Sequence, residues 1–117
     1  MARNNVLVPL LGDAVAPRFD QALELLLLRR GDDGEERGRD TVLLDHASAD
    51  GLCDFILRHE VGLVVVNGIE EEYYHYLRWK RVEVIDQVMG PVEAVLARLF
   101  AGELAPGDIL YARGDAS

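Results

Sequence analysis

The side chains able to do chemistry gather just after short apolar runs. Asp13, Arg18 and Asp20 surround Phe19 in one polar stretch, where an arginine between carboxylates either locks a loop or offers a cation to an anionic ligand. Asn67-Gly68 follows the apolar run 63–66; it could turn backbone N–H groups and a side-chain amide toward a ligand, or simply make a tight strand-to-helix turn. Met89 and Gly90 stand after the alternating segment 81–85. The soft or borderline metal ligands are His46, His59, His75 and Cys53, and none pairs at CxxC or HExxH spacing. His46, in a loop after Asp45, is the weak metal candidate; Cys53 reads as a small buried hydrophobe, and His59 as a partner for helix-terminal carbonyls.

Other chemistries find no carrier. Neither a Walker sequence nor GxGxxG follows an apolar run, and Gly34-Glu-Glu-Arg-Gly38 lies in an acidic turn unsuited to polyphosphate. No nucleophile elbow occurs, and Glu70, Glu71 and Glu72 favour a helix start over an acid–base pair. An enzyme acting through Asp13, Asp20 and His46 is the least supported reading.

The elements that must position these residues follow from periodicity. Residues 5–10 form a short β-rich run ended by Pro9, Gly12 and Asp13, and 12–20 form a loop. Runs 23–30 and 41–45 flank a polar segment, 31–40, so a hairpin with a solvated turn is expected. Leu52, Phe55, Ile56 and His59 recur at helical spacing behind a Ser48 or Asp50 cap, and Gly62 is expected to end that helix. The all-apolar run 63–66 reads as a central strand. A second helix opens at Glu70 with Tyr73, Tyr76 and Leu77 as its inner stripe, 81–85 alternates like an edge strand, and Val92, Val95, Leu96, Leu99 and Phe100 mark a last helix closed by Gly102.

The order β, β, β, α, β, α, β, α predicts a mixed α/β sheet with helices on its faces. In such a sheet, ligands gather outside the carboxyl ends of the parallel strands, here residues 11–13, 67–69 and 87–90.

Composition bounds the rest. A chain of 117 residues, 50% hydrophobic, fits one domain, placed at residues 1–104 with a C-terminal tail at 105–117. Twelve Lys and Arg against twenty-one Asp and Glu leave a net charge of −9, which repels nucleic acid and anionic membranes. No apolar run approaches a bilayer span, no secretory signal is visible at the N-terminus, and one cysteine makes no internal disulfide, so a cytoplasmic location is expected.

Val6-Leu-Val-Pro-Leu-Leu-Gly-Asp13, Val15-Ala-Pro-Arg-Phe-Asp-Gln-Ala22, Val64-Val-Val-Asn-Gly-Ile69 and residues 90–104 together resemble the dinitrogenase iron-molybdenum cofactor biosynthesis family. That family includes NifX, the NifB carboxyl-terminal domain, the NafY core and the small orange protein. The resemblance covers residues 5–104, and Val15 to Ala22 is its most specific piece. It implies a ribonuclease H-like fold with a mixed five-stranded sheet, without nuclease activity. It also implies a non-catalytic carrier or chaperone of an iron-molybdenum or other metal-sulfur cluster, with cofactor-assembly or acceptor proteins as partners, in a setting related to nitrogen fixation.

Where many members carry Cys-Gly-Gly after the central strand, this chain has Val66-Asn67-Gly68. Cargo would then be held by Asp13, Arg18, Phe19, Asp20, Asn67, Gly68, Met89 and Gly90, through contacts to anionic sulfides in place of a thiolate bond. The other reading is an acidic protein-interaction or regulatory domain on the same scaffold without a cluster, acting through Tyr73, Tyr74, Tyr76 and Trp79. The sequence also allows a homodimer.

Overall fold

The centre of the sheet is the apolar run that opens the chain. In the computed structural model, which describes residues 4–111, strand β1 (Asn5–Leu11) pairs antiparallel with β3 (Glu24–Arg30) on one side and parallel with β5 (Val61–Val65) on the other. Beyond these lie β4 (Glu36–Leu43) and β6 (Glu83–Ile85), giving the order β4-β3-β1-β5-β6. A two-residue strand, β2 (Ala14–Val15), also pairs with β1, so the sheet has six strands where five were expected. Three helices complete the fold: α1 (Ala49–Arg58), α2 (Glu71–Trp79) and α3 (Val92–Phe100).

Strand alternation splits the core into two layers. Leu7, Leu25, Leu27 and Val64 face α1 and α2, where they pack with Leu52, Ile56 and Leu77; Val6, Val8, Leu26, Leu28, Leu63 and Val65 face α3, with Val95 and Leu96. A sheet covered on both faces explains why the central runs read as continuous apolar stretches.

Several boundaries differ from expectation for identifiable reasons. Half of the expected polar turn is strand: β4 begins at Glu36, because an outer strand needs ladder hydrogen bonds and not apolar burial. Its charges pair along the edge, Arg39 with Glu36 and Glu93, and Arg29 with Asp40. Ser48 caps α1 as read, its Oγ accepting from Gly51 N at 3.0 Å. The helix ends at Arg58, with Glu60 just past the cap held at φ 57°, and Gly62 lies inside β5. In α2 the inward stripe is Leu77 with Tyr73 and Tyr74, while Tyr76 faces outward. His59 does not serve helix carbonyls through its ring, which stacks on Phe55 at 4.0 Å.

Segment 105–110, expected as surface tail, folds back onto the end of β6. Met89 N donates to Asp108 O, Leu110 N to Met89 O and Gly107 N to Asp86 O. Residues 112–117 of that expected tail lie outside the described residues.

Candidate functional site

The carboxyl ends of β1, β5 and β6 meet on one edge of the molecule, and their loops are laced together by backbone hydrogen bonds. Phe19 N donates to Gly68 O at 2.8 Å and Gly68 N to Pro17 O at 2.9 Å. Val15 N donates to Gly90 O at 3.1 Å, and Val92 N to Asp13 O at 2.7 Å. These bonds satisfy loop amides that would otherwise seek water, and they remove the Gly68 amide from the donors open to a ligand.

Arg18, Asp20 and Gly68 are brought together. Phe19 is the hinge of this arrangement: it is 1% exposed and packs into the α1–α2 layer beside Tyr73, so the residues on either side emerge together at the surface. Phe19 therefore anchors the loop and does not face a ligand. Arg18 Nε and Nη2 donate to the two Asp20 carboxylate oxygens at 3.0 and 3.1 Å. The hydrogen bonds from Arg18 hold the Asp20 carboxyl below the usual carboxylate range, and the Asp20 carboxylate raises the Arg18 guanidinium, with a smaller contribution from Glu70.

Arg18 borders two hollows. One, of about 470 Å³, runs between the end of β1 and the start of β3, with apolar walls including Leu10, Ala16, Ala22 and Leu23 and polar groups from Arg18, Gln21 and Glu24. The other, about 220 Å³, lies against Gly68, Ile69 and Glu70. Gly68 is fixed by close approach, since a Cβ there would stand 2.8 Å from Pro17 O.

None of the remaining sequence candidates lines either hollow beside Arg18. Asp13 is exposed and joins the site only through its carbonyl. The Asn67 carbonyl accepts from Gln87 N at 2.9 Å, tying β5 to the loop after β6. Met89 is 39% exposed, with both of its backbone polar groups taken by segment 105–110, and Gly90 is buried under Leu110. His46 lines a separate recess of about 190 Å³ with Asp45, Ser48, Phe55 and Arg58. Among the described residues no group of three or more His, Cys, Asp or Glu side chains could hold a metal ion, so His46 gains no co-ligands. Cys53 is buried, and desolvation, with Asp50 nearby, pushes its thiol up to about 11, which keeps it protonated and a poor ligand.

Sequence reasoning missed Gln21, Leu23 and Glu24 as pocket walls, because they read as loop and strand start. It also missed segment 105–110, although Pro106-Gly107 is a turn signal before an apolar pair.

No protein-family model matches the chain, and no curated protein matches it. Solved structures do share its fold. The orange protein from Desulfovibrio gigas, in its apo form, aligns with a TM-score of 0.70 at 16% identity over 88% of this chain and 92% of its own. A "putative dinitrogenase" from Methanocaldococcus jannaschii aligns at 0.69, with 20% identity over 86% and 91% of the two chains. A NifB-type protein of the DUF35 family from Thermotoga aligns at 0.68, with 17% identity over 97% and 100%. At these identities the likeness establishes the fold, and these neighbours are of the kinds that the sequence resemblance names. No helix among the described residues is long and apolar enough to cross a membrane.

Proposed function

We propose that the chain is a small, non-catalytic member of the dinitrogenase cofactor group, with the ribonuclease H-like fold of that group, and that it carries an anionic metal-sulfur cargo at the edge bordered by Arg18. The observation behind this reading is Arg18 itself: a half-exposed guanidinium between two hollows, at the carboxyl edge of the sheet. Arginine presents forked donors to an anion, and the apolar walls of the larger hollow suit weakly hydrated sulfide.

The donor set fits outer-sphere holding and does not fit covalent ligation. The central turn lacks a thiol, Cys53 is buried and protonated, and the Gly68 amide is already bonded. Cargo has to displace Asp20 from Arg18, within an acidic molecule, so it binds reversibly and passes to an assembly or acceptor protein on contact. Holding and release require no bond-making residue in this chain.

A second reading is favoured by the same salt bridge: with Arg18 neutralised by Asp20, the scaffold serves as an acidic interaction domain without cargo. Anaerobic titration with tetrathiomolybdate separates the two. Saturable change in its charge-transfer absorption, lost in Arg18→Glu, supports the carrier; a folded protein that leaves the spectrum unchanged supports the interaction domain.

A further inference from the structure

Helix α2 and its flanks are electrically two-ended in a way that the site above does not use. Glu70, Glu71 and Glu72 open it, and Arg78, Lys80 and Arg81 close it. Along its outer face run Glu72, Tyr76 and Trp79 at helical spacing. Trp79 is 74% exposed, the largest fraction for a large apolar side chain among the described residues. Lys80 Nζ lies 4.8 Å from the centroid of the Trp79 ring and 5.8 Å from that of Tyr76, so the cation and the ring are presented together.

Beside this stripe, a groove of about 410 Å³ separates α1 from α2. Leu57, Tyr73 and Tyr76 form its apolar walls, and Asp50, Asp54 and Glu72 stand on its rim. Asp54 is paired with Arg58 at 2.9 Å, whereas Asp50 and Glu72 have no ion-pair partner among the described residues. The groove therefore suits a flat aromatic ring with a cation next to it, and that combination is what the far end of the same helix displays.

We propose that a second copy of this chain docks here, α2 against α2 about a two-fold axis near Tyr76. Helix arithmetic fixes the register. In an antiparallel pair centred on position 76, Trp79 lies opposite Tyr73 of the second copy, each about 4.5 Å along the axis from the centre, at 1.5 Å per residue. Lys80, the residue that caps the helix, then lies opposite Glu72. The contact is self-complementary, as a two-fold interface must be, and the opposed helix dipoles add to it. One helix pair with an α1 rim lies at the small end of specific interfaces, so the dimer is weak, on the order of micromolar.

Sedimentation velocity on the full chain from about 1 to 500 µM tests this, the range bracketing a micromolar Kd. The wild type is expected to dimerise, and Trp79→Ala to weaken the dimer by about tenfold or more. Glu72→Lys and Lys80→Glu each weaken it, while the two combined recover most of the affinity, with circular dichroism melts confirming that every variant is folded. The proposal is overturned by a wild type monomeric throughout, by a dimer indifferent to Trp79→Ala, or by a charge swap that fails to recover. A monomer that binds a Trp-Lys-Arg peptide in the groove also overturns it and assigns the surface to an outside partner.

Discussion

Arg18 grips Asp20 with two parallel hydrogen bonds, at 3.0 and 3.1 Å, across the buried ring of Phe19. The spacing of two residues is what makes this grip available: with Phe19 turned into the core, its neighbours project to the same side. The pair sets the state of the site, since a guanidinium held by a carboxylate presents little net charge to an incoming anion.

Removing the carboxylate charge should therefore strengthen anion binding. Asp20→Asn is expected to tighten tetrathiomolybdate several-fold, and Arg18→Glu to abolish it, both read by anaerobic titration. Because Arg18 holds the Asp20 carboxyl below the usual range, Asp20 stays ionised from pH 8 down through pH 5, and the brake stays on. Uptake by the wild type should therefore show no Asp20-linked change between pH 8 and pH 5, while Asp20→Asn binds more tightly across that whole range.

Gly68 is a packing requirement. Gly68→Ala sets a Cβ 2.8 Å from Pro17 O, a backbone atom that cannot swing away. We expect a loss of about 1–3 kcal/mol, the usual range for overpacking, seen as a lower denaturant midpoint with unchanged slope.

Cys53 should behave as an inert core thiol. With its thiol pushed up to about 11, it is almost wholly protonated at pH 8. Alkylation by iodoacetamide in the native state should be at least about a hundredfold slower than for an unhindered thiol near 8.5, and normal in denaturant. The folded state favours the neutral thiol, so its contribution to stability is full below the unfolded value of 9.0 and is lost as pH rises through about 11. Cys53→Ala should remove that alkaline loss.

Much of the architecture was legible because the core is regular. Leu52 and Ile56 at helical spacing, the Ser48 cap and the apolar run 63–66 each carry one clear pattern, and each forms the element expected of it. Segment 36–43 was not legible as strand: its stability comes from ladder bonds to β3 and from ion pairs such as Arg29 with Asp40, and neither leaves an apolar signature. At the site, the break after β1 was legible from Gly12 and Pro17, but the two-residue strand β2 inside the expected loop 12–20 was not, and pairings between residues distant in sequence are invisible to periodicity. Phe19 stands among charged residues in the sequence, and nothing in that spacing reveals its burial against Tyr73, which is a tertiary fact.

Segment 105–110 illustrates the same limit. Truncation after Leu104 should uncover Met89 and Gly90 and remove the backbone bonds from Asp108, Leu110 and Gly107. We expect about 1–3 kcal/mol of lost stability, from hydrogen bonds worth about 1 kcal/mol each and from the half-buried Leu110, measured by chemical denaturation.

The carrier account is tested most directly by counting molybdenum that travels with the protein through anaerobic gel filtration after incubation with tetrathiomolybdate. The account predicts stoichiometric metal on the wild type and none on Arg18→Glu at equal fold content. Metal absent from the wild type, or equal on both proteins, would contradict it.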